Sequence, residues 1–304
     1  MSKNTYPISF SFPEEKIISN IPINKIYDFS PLIPGDKTTY IYKTEEDYYD
    51  QYQKSFYAIT FKKVGWDCMR HYEILANGCL PYFIDINDIP DKTMCNFPKD
   101  LVIEGMNLDG VDYINRTIDH NKFDKSKYFD IIRRLLDYTR TYLTTIYSAK
   151  YILTTINNLQ NNPRILYINC GGRNNYYLRS MMLHGLRTLF GSNVVDYKKC
   201  DYIYNTYQNK RARDMYGKGF SYTRLLKDIE IDRTNVLDKI KNKYFDLIIF
   251  TALHQYECEY HDLIRENYPS NKLIYLCGDD CHMKCKIYDK DSHYFIRELG
   301  SIKK

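Results

Sequence analysis

The chain has 304 residues, 44% of them apolar and 27% charged, a globular composition that can bury a sizeable core. No run of about eighteen apolar residues occurs, which excludes a membrane-spanning helix. A net charge of +5, spread along the chain without a basic tail, leaves no footprint of a dedicated nucleic-acid binder.

The nine cysteines are an odd number, and the opening MSKNTYPISFSFPEEK has no apolar leader core. Together they lead us to expect reduced thiols, a cytoplasmic location and no disulfide framework. The abundance of Tyr, Lys, Asn and Ile reads as the accent of an AT-rich genome, microbial or viral, and carries no mechanism.

The length suits two domains. Residues 1–40 hold short apolar pieces broken by prolines, which predicts irregular structure or short edge strands. EEDYYDQYQ, from residue 45, is polar and tolerates a helix. SFYAITF, residues 55–61, is rich in aromatic and β-branched residues and predicts a buried strand. A helix should follow from about Cys68, then a strand at 79–85. From Tyr128 to Asn158 the apolar spacing of three and four, without Pro or Gly, predicts a long helix, with the β-branched run Thr144–Ile146 the place where it could break. NNLQNNP, at 157–163, ends it and divides a first unit, 1–158, from a second, 159–304.

The second half alternates. Strands are predicted at 164–170, 193–197, 244–250 and 272–277, helices at 175–190 and 255–267, and HYFIREL closes the chain. Strands separated by helices imply a parallel sheet with helices on both faces, a Rossmann-like α/β unit.

The passage richest in chemistry is GWDCMRHYEILANGCLPYFIDINDIP, residues 65–90. Asp67 is placed to cap, and Gly78 to terminate, a short helix. At helical spacing Cys68, Tyr72, Leu75, Ala76 and Cys79 share one side, a core face, while Arg70, Glu73 and Asn77 share the other. An Arg and a Glu early on a helix that follows a strand suit a phosphate-bearing ligand. The helix start supplies N–H groups and positive dipole, the Arg a fork for phosphate, and the Glu an acceptor for ribose hydroxyls. The plain structural alternative is an exposed i,i+3 ion pair between Arg70 and Glu73.

The run from Arg70 through Ile74, Asn77, Gly78, Cys79, Leu80 and Pro81 to Phe83, followed by Asp85, resembles the donor-site signature of exostosin-like glycosyltransferases. There an Arg opens a helix that ends in small residues before a G-C-I-P-V-type strand. The resemblance covers residues 55–90. It implies two Rossmann-like lobes (GT-B), with a nucleotide sugar, foremost a UDP-sugar, bound between them and no metal required for the donor. On that basis Arg70 would hold the diphosphate and Glu73 the ribose. Trp66, Asp67 and Cys68 would form the loop and helix start beside the phosphates, Gly78 would let the helix pack closely on the sheet, and Pro81 would shape the strand start. The family's usual order puts the acceptor domain first, whereas here the donor-like signature lies in the first half. Residues 1–158 would then be the donor lobe, trimmed before residue 55 and carrying the long bridging helix, and 159–304 the acceptor side.

Further candidates sit at predicted strand ends. Asp279 and Asp280, with His282 beside them, and His254 are candidate bases for an acceptor hydroxyl; capping or structural roles are the alternatives. Asn169–Asn174 could approach a phosphate or a methionine-type cofactor, or be a plain tight turn. Tyr216–Tyr222, with Lys218 and Ser221, could line a cleft or turn on the surface. Cys277, Cys281, His282 and Cys285 lack the spacing of zinc ribbons or fingers, so no metal is expected.

The expected activity is transfer of a sugar from a nucleoside diphosphate to a hydroxyl of a glycan or glycoprotein. Its alternatives are a non-catalytic GT-B-like scaffold and an S-adenosylmethionine-dependent methyltransferase that would use Asp196 for the ribose.

Overall fold

The computed structural model describes residues 3–157, 160–170, 177–208, 215–251, 258–280 and 287–301. Two parallel sheets organise the chain. The smaller contains β2 (Tyr27–Phe29), β3 (Ser55–Thr60) and β4 (Leu80–Phe83), in the order β2-β3-β4. The larger has six strands: β1 (Thr5–Pro7), β7 (Ile165–Asn169), β8 (Val194–Tyr197), β9 (Leu247–Thr251), β10 (Leu273–Cys277) and β11 (His293–Ile296). Their order is β1-β11-β10-β9-β7-β8, with every neighbouring pair parallel. A short antiparallel ribbon, β5 (Val111–Asp112) and β6 (Thr117–Ile118), completes the strands.

Every residue of β9 and β10 is buried. Such unbroken apolar runs are what a parallel sheet covered on both faces requires. From β7 onward the strand order is 2-1-3-4-5, that of an open doubly wound sheet, so the Rossmann-like α/β expectation holds at this level. β1 departs from the expected division. Though it opens the chain, it pairs with β11 at the edge of the larger sheet, Tyr6 opposite Phe295.

The described helices include those predicted, with Lys99–Met106 and Val236–Lys241 in addition. They are α1 (Glu45–Gln53), α2 (Met69–Ala76), α3 (Lys99–Met106), α4 (Lys125–Tyr142), α5 (Thr145–Thr155) and α6 (Tyr177–Phe190), then two short ones, Val236–Lys241 and His261–Asn267. The long predicted helix does break, between α4 and α5. Thr144 turns extended there, and its hydroxyl accepts from the Tyr147 N–H as an N-cap. The largest apolar cluster is continuous. It runs from Phe29 and Leu80 in the smaller sheet through Leu135 and Ile152 on α4 and α5 to Ile249 and Leu276 in the larger.

Two local expectations are corrected. Cys170 and Cys258 form a disulfide, against the expectation of reduced thiols, and Cys277 is disulfide-bonded as well. Asp67 does not cap α2. The capping position is Cys68, whose side chain makes no cap bond, because the Asp67 carboxylate is drawn to the N-terminal segment instead. It accepts from the Phe10 N–H and the Tyr72 hydroxyl, each at 2.7 Å. No described helix is long and apolar enough to cross a membrane.

Candidate functional site

A cleft of about 640 Å³ opens where the carboxyl ends of the two sheets meet. The loop after β3 contributes Lys63, Val64, Gly65 and Asp67, and the first turns of α2 add Cys68, Met69, Arg70 and Glu73. The loop after β10 contributes Gly278, Asp279 and Asp280, and the strap 215–220 adds Met215, Tyr216, Gly217, Lys218 and Phe220. Tyr40, Tyr42, Tyr48 and Tyr177 supply aromatic walls. Residues far apart in the sequence, Arg70 and Asp280 among them, therefore share one cavity.

Arg70 stands apart electrostatically. Its Nε and Nη1 are shielded from solvent, and neither has a hydrogen-bond partner. The fully buried arginines are served by the protein: Arg179 by the Tyr202 hydroxyl, Arg187 by the carbonyls of Gly191 and Val194, Arg297 by carboxylates and carbonyls. Guanidinium nitrogens shielded and left unpaired are costly, and a ligand that accepted from them would remove that cost. The uncapped amino end of α2 beside it adds N–H groups and positive dipole.

Glu73 takes a different part from the ribose role that the resemblance implies. It is 5% exposed, and both its oxygens are engaged, Oε2 by the Tyr48 hydroxyl at 2.7 Å and Oε1 by the Ser221 hydroxyl. Burial raises its pKa, while those two bonds and nearby Arg70 oppose the rise. The Arg70–Glu73 ion pair is not formed. Asn77 is buried as well, held by the Gln53 amide at 2.9 Å. α2 is buried almost all round because α1 and residues 216–222 cover the side read as exposed.

Ser221, a cleft-lining candidate in the sequence, is fully buried and works as a latch. Its N–H donates to Glu45 Oε1 at 2.7 Å, and its hydroxyl also meets the Tyr49 hydroxyl at 2.8 Å. Lys218 lines the cleft, with its ammonium on the Tyr42 carbonyl.

The loops from the two sheets are tied together at Arg297, which is fully buried. It donates to the Asp67 carbonyl, to Asp280 Oδ1, to Glu298 Oε1 at 3.2 Å and to the Gly278 carbonyl at 3.2 Å. Glu298 in turn accepts the Asp67 N–H at 2.9 Å. Gly65 permits this approach, since a Cβ there would lie 2.7 Å from Glu298 Oε1 and 2.9 Å from the Asp280 carbonyl oxygen. Burial pushes the Asp67 carboxyl up to about 6, against the pull of Arg297, Tyr72 and the Phe10 N–H. Asp280 thus reaches the cleft with one oxygen committed to Arg297, and Asp279 lies beside it, accepting the Asp280 N–H at 2.8 Å.

Trp66 and Gly78 stand outside the cleft. Trp66 packs in the core, with Lys62 4.9 Å above its ring. Gly78 has φ +62 and closes α2: its N–H reaches the Leu75 carbonyl and the Cys79 N–H that of Ile74, a Schellman motif. His254, His282, Cys281, Cys285 and the turn 171–174 lie outside the described residues. Among the described residues no group of His, Cys, Asp and Glu is placed to hold a metal. Asp196, the ribose ligand of the methyltransferase alternative, is fully buried and occupied by Arg233 at 2.6 Å and the Cys200 N–H at 3.2 Å.

Sequence reasoning missed Arg297, Glu298 and the tyrosine walls. The signal for the first two was present, because a charged pair directly after the strand HYFI falls at the carboxyl end of the sheet. The tyrosines are indistinguishable by type from the rest of the 32 in the chain. No protein-family model, curated protein or solved structure matches the chain, so the exostosin-like resemblance rests on residues 55–90 alone.

Proposed function

We propose that the cleft binds a nucleoside diphosphate sugar and that the protein transfers its glycosyl group to a hydroxyl acceptor. The observation that carries this reading is Arg70, whose guanidinium Nε and Nη1 are shielded from solvent and unpartnered at the uncapped start of α2, in the cleft between the two sheets. A diphosphate supplies the acceptor oxygens the guanidinium lacks, and its departure with negative charge is what the guanidinium and the helix start would stabilise. In this reading the two sheets act as a donor side and an acceptor side, with Asp279 and Asp280 facing the donor across the cleft. Asp279, or the uncommitted oxygen of Asp280, would take the acceptor proton.

A binding-only reading has one observation in its favour: Asp280 Oδ1 is engaged by the buried Arg297 and not turned to an acceptor hydroxyl. Release of free UDP or GDP from their sugar conjugates, in the presence of glycan acceptors, separates the two. The transferase reading expects release that falls by about a hundredfold in Arg70→Ala. Nucleotide binding without any release would leave the binding-only reading.

A further inference from the structure

The strap that crosses the cleft is built at some conformational expense. Gly217, Lys218 and Gly219 are consecutively left-handed, at φ 58°, 57° and 77°, and Ser221 follows at 71°. Lys218 and Ser221 carry side chains that disfavour this region. The far end of the strap is locked by the Ser221 latch onto Glu45 and Glu73, and its middle by Lys218 on the Tyr42 carbonyl.

This fixed backbone presents Tyr216. The residue is 74% exposed, whereas no other Tyr, Phe or Trp among those described exceeds 42%. The ring lines the cleft and packs against Tyr177 in a T-shaped pair, centroids 6.1 Å apart at 75°. Its carbonyl is held by the Tyr222 hydroxyl at 2.7 Å. Tyr216 also lies within electrostatic range of Cys68, Arg70, Asp280 and Tyr40, the heart of the cleft. A large, exposed, rigidly mounted aromatic face beside an unpaired guanidinium is the arrangement that a ligand with a planar ring and a phosphate would complete.

We propose that Tyr216 is the stacking platform for the nucleobase of the ligand whose phosphates Arg70 holds, with the strap 215–220 serving to place that ring. The proposal rests on Arg70 as the phosphate anchor. Stacking needs the ring and not the hydroxyl, so phenylalanine should serve at 216 and alanine should not. Base-on-aromatic stacking sets the scale at about tenfold in affinity.

The test is calorimetric titration of UDP, GDP, ADP and inorganic pyrophosphate into the wild-type chain, Tyr216→Ala and Tyr216→Phe. Tyr216 is exposed, so neither variant threatens folding. The expected result is that Tyr216→Ala weakens the best nucleotide about tenfold, that Tyr216→Phe restores it, and that pyrophosphate binds all three alike. Equal nucleotide affinity in the wild type and Tyr216→Ala would overturn the platform while leaving Arg70 as anchor. So would a loss of pyrophosphate binding as large as that of the nucleotide. Failure of every probe to bind the wild type would overturn both the platform and the anchor.

Discussion

Arg70 and Asp67, three residues apart, show how differently one short segment treats its charges. Arg70 was legible in the sequence because an arginine early on a helix after a strand has a physical use there. Glu73 was legible as a site residue but not in its role, since the Tyr48 and Ser221 hydroxyls that occupy it lie 25 and 148 residues away. Asp67 read locally as a cap and is instead bound by Phe10, from a segment no local rule could bring near. Its raised pKa makes a prediction. A carboxyl that holds its proton more tightly folded than unfolded favours the folded state at low pH and loses that contribution as pH rises. The window lies between the ordinary carboxyl value near 4 and about 6. Urea titrations from pH 4 to 6.5 should therefore show the wild type losing about 2 kcal/mol relative to Asp67→Asn. Parallel pH profiles for the two proteins would contradict the assignment.

At the scale of elements, most of the chain was readable. The runs that became β7, β9 and β10 are continuous and apolar, and the α4–α5 break fell at the β-branched run that the sequence marked as the weak point of one long helix. α3 was missed: its eight residues, KDLVIEGM, begin with two charges and include a glycine, so no apolar stripe announces them. β5 and β6, at two residues each, carry no periodicity at all. The end of α2 makes the element-scale prediction. Gly78 holds a left-handed conformation, and a Cβ there would come 2.8 Å from Pro22 Cδ and 2.9 Å from Ile18 Cδ1. Gly78→Ala should lower unfolding stability by about 1–3 kcal/mol in denaturant titrations without changing nucleotide affinity. A nucleotide defect at unchanged stability would instead bring Gly78 into the site.

Across the whole molecule, the two sheets share one apolar cluster and are joined at their carboxyl ends by Arg297. The α/β class and the parallel order were legible from strand and helix alternation. The return of β1 to the edge of the larger sheet was not, because three residues of edge strand carry no address for their partner. Nor was the joint at Arg297, whose partners come from both halves. The cleft that results sets Arg70 and a helix start, from the smaller sheet, across from Asp279 and Asp280, from the larger. The most direct test of its reading as a phosphate site is calorimetric titration of UDP and GDP into the wild-type chain and into Arg70→Ala. The account predicts binding of one nucleoside diphosphate by the wild type, weakened at least tenfold in the variant, the scale of a lost hydrogen bond to a charged group. No heat with either nucleotide, or equal affinity in both proteins, would contradict it.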